Sequence, residues 1–343
     1  MPKKLRFALF GTGFWAHYQL HGWYEDKNVE CVALYNRTLA KAEKLAAEFG
    51  SPLCYDDPLK LFESEKLDFV DICTSIETHA QFTRMAAERK TPVVCQKPMA
   101  ESLEQAQDML TACQKAGVPL LINENWRWQF PIRNFKRILA EGGIGTPFRA
   151  RMHFCNSFPV FDNQPFLKDL EQFILTDIGS HILDTARYLF GEARSLYCLT
   201  KRVHPDIKGE DVATVLMEMG QRPVTVTCEM SYASRTEIEH FPQTYIYVEG
   251  ERGFLELGPE YVIRQTTEAG TLVRRFPPPH YEWADARYDV VQCSITPCQM
   301  DLLAHLRGET QAETRAEENI KTVQLVFGAY ETARRGQAIL LDL

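Results

Sequence analysis

Short apolar runs alternate with segments of helical periodicity through the first 125 residues. The runs "LRFALFG", "VECVALYN", "DFVDICTS", "PVVCQKP" and "VPLLINE" have the length and composition of buried strands. Between them, segments such as "LAKAEKLAAEFG" and "THAQFTRMAAER" place apolar residues on one helical face. Ser102 and Gln105 form a capping-box pattern at the start of a further helix. This alternation predicts a parallel, doubly wound α/β sheet, which we assign to a dinucleotide-binding Rossmann domain over residues 1–125.

The pattern changes after Thr146, where longer β-like stretches dominate. "TPFRARMHF", "VATVLMEMG", "PVTVTCEMSY" and "TYIYVEG" are joined by Gly- or Pro-bearing turns, which favours antiparallel pairing. Helical patterns are limited to "IRNFKRILAEG", "TDIGSHILDTARYLFG" and "AEENIKTVQLVFGAYETARRG". We therefore predict that residues 126–343 form an α+β domain, built on an open, mostly antiparallel sheet, for substrate binding and oligomerisation. Because such a sheet leaves one face uncovered, we expect a homodimer or homotetramer formed through it.

Composition narrows the class of protein. Apolar residues make up 45% and charged residues 24% of the chain, as in a globular protein, and the net charge of -8 argues against nucleic acid or an anionic membrane as partner. The ten cysteines are scattered singly, without a CxxC pair, and "MPKKLRFALFG" lacks a signal-peptide pattern, so we expect a cytoplasmic location. No His, Cys and Asp residues have metal-ligand spacing, so we expect no metal.

The hexapeptide "GTGFWA" follows the first predicted strand and opens the first predicted helix. Gly11 permits a tight turn, Gly13 lets the backbone approach a pyrophosphate, and Ala16 permits close helix packing. The N–H groups and dipole of the helix N-terminus favour the same anion. A Gly-rich turn without a ligand is the alternative, but the strand–turn–helix context favours a dinucleotide. We expect the cofactor to contact Gly11, Thr12, Gly13, Phe14 and Trp15.

The second predicted strand ends in Asn36 and Arg37. Proteins that bind NAD usually carry an acidic residue there, which binds the adenosine ribose and repels a 2′-phosphate. Asn36 and Arg37 tolerate or attract that phosphate, although Asn36 can also hydrogen-bond a free 2′-hydroxyl. The cofactor is therefore predicted to be NAD or NADP, with the charge argument favouring NADP.

One buried strand ends in a lysine, and an apolar helix carries an aspartate and a histidine on one face. Lys97 follows "PVVCQ" at the carboxyl edge of the predicted sheet, where open α/β folds bind ligands. Asp177, His181 and Asp184 share a helix face in "TDIGSHILD". A surface lysine and a solvated polar stripe are the alternatives. Hydride loss from an alcohol needs a base and a cation beside the developing alkoxide, which Lys97, Asp177 and His181 supply.

Three motifs together resemble those of the Gfo/Idh/MocA oxidoreductases: "GTGFWA", "QKP" (usually EKP) and "DIGSHILD" (usually DxGxHxxD). The resemblance covers the whole chain and implies nicotinamide-dependent oxidation of a sugar or related alcohol. It implies that Lys97, Asp177 and His181 are catalytic and contact the substrate. Gln96 replaces the usual Glu that binds the nicotinamide ribose, and an amide can still donate and accept there. The resemblance places these residues beside the cofactor: Thr74, Ser75, His79, Gln96 and Lys97.

The segment "NENWRW" follows the strand that neighbours the one ending in Lys97. Asn125 and Arg127 should therefore emerge at the same edge, where they suit sugar hydroxyls. Trp126 and Trp128 either stack on a sugar or pack inside the protein. This segment, with "FPQTYIYVEG" and "HPDIKGEDVATV", resembles the branch of the family that oxidises D-apiose at its anomeric carbon to a lactone. Two alternatives remain: a dinucleotide sensor without catalysis, and an enzyme that oxidises a glycoside transiently before elimination.

Overall fold

The computed structural model describes residues 4–50, 52–237 and 241–341, and the chain divides into two compact units. The first unit comprises Met1–Asn125, Tyr281–Asp285 and Gln292–Val323. The second unit comprises Trp126–His280, Ala286–Val291 and Gln324–Leu343. The two late segments of the first unit carry no strand–helix alternation that would assign them to it from the sequence.

The sheet of the first unit has six parallel strands. They are β1 (Leu5–Phe10), β2 (Val29–Tyr35), β3 (Leu53–Tyr55), β4 (Phe69–Ile72), β5 (Val93–Gln96) and β6 (Leu120–Asn123). Their order is β3-β2-β1-β4-β5-β6. Every residue of β4 and β6 is buried, as expected for parallel strands covered on both faces. The predicted doubly wound sheet is therefore confirmed.

Helices follow the strands of the first unit. They are α1 (Phe14–Tyr24), α2 (Leu39–Glu48), α3 (Pro58–Ser64), α4 (His79–Glu88) and α5 (Leu103–Ala116). The predicted cap of α5 is present, since Ser102 Oγ accepts the N–H of Gln105 at 3.1 Å. The reciprocal bond differs from a capping box, because the Gln105 side chain accepts the N–H of Glu101 at 2.9 Å.

An aromatic cluster with one carboxyl group forms the core against β1 and β4. Phe7 and Phe69 stack with ring centroids 4.9 Å apart, and Trp23 packs on both rings. The indole N–H of Trp23 donates to Asp71 Oδ2 at 2.7 Å. Asp71 is fully buried, and its Oδ1 has no hydrogen-bond partner among the described residues. Burial raises the pKa of Asp71 to about 7, although the bond from Trp23 favours the charged form.

The sheet of the second unit has nine strands. They are β7 (Pro147–Cys155), β8 (Ala193–Lys201), β9 (Val212–Met219), β10 (Val224–Ser231), β11 (Tyr245–Gly250), β12 (Gly253–Gly258), β13 (Val262–Thr267), β14 (Gly270–Arg275) and β15 (Ile339–Leu340). Their order is β14-β13-β12-β11-β7-β10-β9-β8-β15. The pair of β7 with β10 is parallel, and the other neighbours are antiparallel. This confirms the predicted open, mostly antiparallel sheet.

One face of this sheet is buried and the other is exposed. Along β9 the burial alternates strictly from Ala213 to Met219, with Thr214, Leu216 and Glu218 exposed. The helices outside the first unit are α6 (Phe130–Ala140), α7 (Val160–Asn163) and α8 (Ser180–Phe190). Two longer helices, α9 (Asp289–Leu306) and α10 (Ala316–Arg335), contribute residues to both units. Helix α8 packs on β7 and β10, so it covers the buried face.

The structure also bears on disulfide bonds and on membrane-spanning helices. All ten cysteines are free thiols. Among the described helices, none combines the length and the apolar character needed to cross a bilayer.

Candidate active site

The glycine loop after β1 has the geometry that its sequence predicts. Gly11 has φ +94°, and a Cβ atom there would lie 2.6 Å from the carbonyl oxygen of Cys73, so only glycine fits. Gly13 is the N-cap of α1, and no side chain caps the helix at this point. A Cβ atom on Gly13 would meet no atom within 4 Å. The loop therefore leaves open space in front of uncapped helical N–H groups, as a pyrophosphate requires.

Asn36 joins this loop to the turn after β2. Its Nδ2 donates to Thr12 Oγ1 at 2.6 Å, and its Oδ1 accepts the N–H of Thr38 at 2.9 Å. Arg37 beside it is exposed. The structure thus brings Thr12, Asn36 and Arg37 together at the carboxyl ends of β1 and β2, where the adenosine ribose was predicted.

The two aromatic residues of the loop head α1. Phe14 is 56% exposed, and its ring meets that of Trp15 edge to face at 5.2 Å. An exposed ring of this size at a helix N-terminus suits a ligand that covers it.

His79 links two loops at the same sheet edge. Its ring nitrogens lie 3.1 Å from the carbonyl oxygens of Thr74 and of Pro98. Burial lowers the pKa of His79, although both carbonyl contacts favour its charged form. Since the ring is almost fully buried, His79 holds the Thr74–Ser75 loop and the turn after Lys97 in place.

Gln96 and Lys97 end β5 at its carboxyl edge. Gln96 pairs in register with Asn123 of β6, and both Gln96 and Lys97 are partly exposed. The Nε2 atom of Gln96 is buried without a hydrogen-bond partner among the residues described. An orphaned donor costs free energy unless a ligand accepts from it, so this amide fits the predicted contact with a ribose oxygen.

The side chain of Asn125 is buried and has a hydrogen-bond partner inside the first unit. It is 8% exposed, and its Nδ2 donates to Ser294 Oγ of α9 at 2.7 Å. A second buried amide cluster lies nearby, in which Gln19 Oε1 accepts from both Asn123 and Gln299 at 2.5 Å. The sequence does not indicate this cluster, because its members are far apart along the chain.

Asp177 lies on a single π-helical turn, Leu175–Gly179, that leads into α8. Such turns are rare and frequently occur at functional sites. Asp177 is partly exposed, and the hydroxyl of Tyr232 lies 3.5 Å from its Oδ2, a long contact for a hydrogen bond. Burial and the charge of Asp177 raise the pKa of Tyr232, so this hydroxyl remains a donor.

Glu210 fixes the start of the π turn. Its carboxylate accepts the N–H groups of Phe173 at 3.3 Å and Leu175 at 3.2 Å. Tyr330 donates to the same carboxylate at 2.8 Å and accepts the N–H of Thr176 at 3.2 Å. No pattern in the sequence pointed to Glu210, Tyr330 or Tyr232, because their contacts with this turn are not local.

His181 is the second residue of α8, and its ring stacks on an indole. It is 4% exposed, and its ring stacks on that of Trp126 with centroids 4.2 Å apart and planes inclined by 22°. The indole N–H of Trp126 donates to Thr244 Oγ1 at 3.0 Å. Trp126 therefore packs inside the protein and does not present a free face to a sugar. Trp128 packs against Arg133, whose Cζ lies 4.3 Å from the centroid of the indole ring.

Arg127 and Asp184 form a buried ion pair. Arg127 Nε and Nη2 donate to the two carboxylate oxygens of Asp184, both at 2.7 Å, and the side chains are 9% and 1% exposed. Asp184 is therefore not part of a solvated stripe, which was the alternative interpretation of this helix face. The ion pair also gives the guanidinium of Arg127 a partner other than the predicted sugar.

The predicted residues thus fall into two groups. The first unit brings together the glycine loop, Asn36, Thr74 and, through His79, the turn after Lys97. The second unit carries Asp177 on the π turn and His181 near the start of α8. The joint action of Lys97 with Asp177 and His181 remains a prediction. Among described residues, no three His, Cys, Asp or Glu side chains form a metal-binding group.

Known proteins resemble this chain over nearly its whole length. Residues 5–124 match the family model described as "Oxidoreductase family, NAD-binding Rossmann fold", and residues 132–256 match the "GFO/IDH/MocA C-terminal domain". The chain is 39% identical to a D-apiose dehydrogenase of Paraburkholderia graminis, over 99% of this chain and 90% of that protein. It is 38% identical to a D-apiose dehydrogenase of Rhizobium rhizogenes, over 98% of this chain and 97% of that protein.

A solved structure shows the same relationship. The crystal structure of an oxidoreductase from Agrobacterium radiobacter, in complex with NAD+, L-tartaric acid and magnesium, superposes with a TM-score of 0.95. That protein is 37% identical to this chain, with 98% of each chain covered. The chain therefore belongs to the Gfo/Idh/MocA family of NAD-binding oxidoreductases.

Proposed function

We propose that this Gfo/Idh/MocA oxidoreductase oxidises D-apiose at its anomeric carbon with NAD and releases a lactone. The observation that carries the proposal is the similarity, at 38–39% identity and over nearly the whole chain, to two D-apiose dehydrogenases. The presence of Lys97, Asp177 and His181 supports chemistry over sensing, because a sensor would not need these residues.

In this proposal the protein residues handle the hydroxyl group of the cyclic sugar. His181 removes the hydroxyl proton, Lys97 stabilises the developing alkoxide, and Asp177 orients His181 or the substrate. Bound NAD accepts the hydride from the anomeric carbon. The electron pair of the broken O–H bond then completes the lactone carbonyl, so one sugar and one NAD give one lactone, one NADH and one proton. An exchange of roles between Lys97 and His181 is the alternative.

The first unit supplies the features that a dinucleotide needs. We propose that the uncapped N-terminus of α1 binds the pyrophosphate, and that the orphaned Nε2 of Gln96 donates to the nicotinamide ribose. Asn36 can accept from a free 2′-hydroxyl through Oδ1, and Arg37 can attract a 2′-phosphate, so we propose that NADP also binds. We propose that Asn125 lies near the substrate and that Ser75 lies near the cofactor.

A spectrophotometric assay tests the function. Purified protein is incubated with NAD or NADP and a panel of aldoses and alditols, including D-apiose, and absorbance of the reduced nicotinamide is followed. We expect D-apiose with NAD to give the highest kcat/KM, with a lactone as product. Tight dinucleotide binding without reduction by any sugar would favour the sensor. Conversion of a glycoside without net reduction would favour the oxidation–elimination enzyme.

We also propose that the exposed face of the second sheet joins two copies of the chain, as a homodimer or within a homotetramer. Leu199 and Leu216 lie on that face and are 59% and 45% exposed. Apolar side chains on a wide, open sheet favour burial against a second copy. Replacement of Leu216 by Glu should halve the mass measured by light scattering, from two chains to one for a homodimer or from four chains to two for a homotetramer. We also propose a cytoplasmic location, because all ten cysteines are free thiols and thiols stay reduced there.

A further inference from the structure

One short turn contacts α8 at two points. The 3-10 turn Trp126–Trp128 follows directly after the first unit, and two of its neighbouring residues each contact one residue of α8. Trp126 stacks on His181, and Arg127 pairs with Asp184 one helical turn further on. Both contacts lie within the second unit.

The contact with the tryptophan restrains the imidazole plane. The rings are nearly parallel, at 22°, and their 4.2 Å centroid distance leaves no room for another group between them. The indole itself is also held by the hydrogen bond from Nε1 to Thr244 Oγ1 at 3.0 Å. Rotation of His181 about its side-chain bonds would therefore require Trp126 to move, and Trp126 is anchored.

The contact with the arginine restrains the helix. The bidentate geometry fixes both the distance and the rotation of α8 relative to the turn, as a single point charge would not. Each member of this pair has a further contact on α8. The Arg127 guanidinium lies 5.4 Å from the ring centroid of Tyr188, and Arg187 Nη1 lies 3.9 Å from Asp184 Oδ1.

We propose that Trp126 and Arg127 are positioning residues that hold His181 in the orientation needed for proton transfer. This inference rests on the proposed function, in which His181 handles the hydroxyl proton. It assigns to Arg127 an action through Asp184 and α8 in place of direct contact with the sugar. Misplacement of a catalytic group by about 1 Å can lower turnover about a hundredfold. Loss of the contacts that Trp126 and Arg127 make with α8 should therefore lower kcat measurably.

The test compares conservative variants in the full-length protein. Trp126→Phe keeps an aromatic ring but loses the bond to Thr244, and Thr244→Val removes that bond while keeping the indole. Trp128→Phe is the matched control, since it changes a tryptophan of the same turn that packs on Arg133. Arg127→Lys keeps the charge and removes the bidentate fork, and it should lower kcat at unchanged KM for NAD; normal kcat would refute the role of Arg127. If Arg127→Lys fails to fold, Asp184→Asn tests the same pair from its other side.

The measurements separate positioning from mere stability. For each variant we measure kcat and KM for D-apiose, KM for NAD and the unfolding midpoint. In NMR spectra of the wild type, the ring protons of His181 should be shifted upfield by the indole ring current, with the signal identified by its loss in His181→Asn. Trp126→Phe should lower kcat by roughly tenfold to a hundredfold and leave KM for NAD unchanged. Thr244→Val should lower kcat less and move the His181 signal, and Trp128→Phe should alter neither.

Three results would overturn the inference or its premise. Normal kcat in Trp126→Phe and Thr244→Val, with a moved His181 signal, shows that its orientation does not limit the reaction. A fall in kcat that Trp128→Phe shares in full indicates a structural role for the whole turn. A wild-type protein that oxidises no sugar with NAD or NADP contradicts the proposed function itself, and the positioning role fails with it.

Discussion

Replacement of Asp71 by Asn should stabilise the first unit at neutral and alkaline pH. Asp71 is fully buried, accepts one bond from Trp23 and has no other hydrogen-bond partner within the described chain. Burial raises its pKa from the ordinary 3.8 to about 7, so the folded state binds a proton that the unfolded state has already released. Stability contributed by this group is complete below pH 3.8 and is lost as the pH rises to about 7.

The size of the effect follows from the shift. At 1.36 kcal/mol per pKa unit, a shift of about three units corresponds to about 4 kcal/mol, of which about 2.5 kcal/mol is lost between pH 5 and pH 8. Asn resembles the protonated acid in shape and cannot ionise, and its oxygen still accepts from Trp23. The free energy of unfolding of Asp71→Asn minus that of the wild type should therefore increase by about 2.5 kcal/mol between pH 5 and pH 8.

The assay is guanidinium unfolding at several pH values, followed by tryptophan fluorescence, for the wild type, Asp71→Asn and Asp56→Asn. Asp56 is exposed and serves as the control for the removal of a negative charge. Its difference from the wild type should stay nearly constant with pH. If the difference for Asp71→Asn is equally constant, Asp71 does not take up a proton in the folded protein, and the argument from burial is refuted.

Three further predictions concern the site. Gly13→Val should abolish NAD binding measured by calorimetry, because the added side chain fills the space that the pyrophosphate needs. The unfolding midpoint should stay unchanged, since that space holds no protein atom within 4 Å of the added Cβ. Unchanged affinity would contradict the pyrophosphate assignment. Asn36→Asp should weaken NADP far more than NAD, since Thr12 can donate to the new carboxylate while a 2′-phosphate is repelled; equal losses in direct titration would refute the charge argument. Lys97→Ala should lower turnover of the true substrate by roughly a hundredfold or more at unchanged NAD affinity, and His181→Asn likewise; near-normal turnover in both would favour a surface lysine.

The sequence predicts those features of the fold that depend on local patterns. Apolar runs and helical periodicity located most elements of both sheets, and Ser102 marked the start of α5. Helix α9 was missed because Pro297 inside it is a helix-breaking signal, and tertiary packing overrides that signal here. Strand β15 has only two residues and exists through its pairing with β8, which no local pattern can indicate.

The predicted site shows the same division more sharply. Gly11 was identified correctly as a glycine position because its positive φ and its close approach to Cys73 are properties of one residue. The partner of Arg127 was not foreseen, since a guanidinium suits a sugar and a carboxylate equally well by its chemistry alone. Which of them it meets depends on the packing of the turn Trp126–Trp128 against α8.

The motif "DIGSHILD" illustrates how three residues on one nominal helix face can have three separate surroundings. Helical spacing predicts one polar stripe, but the turn that carries Asp177 is a π turn, which includes an extra residue and rotates Asp177 relative to a regular helix. Asp177 stays partly exposed, whereas His181 and Asp184 are buried. The π turn needs an acceptor for its leading N–H groups, and the carboxylate of Glu210 provides it. The position of Asp177, the one exposed acid in the motif, is thus determined by Glu210, a buried acid outside the motif. A variant of Glu210 should therefore be measured beside any variant of Asp177.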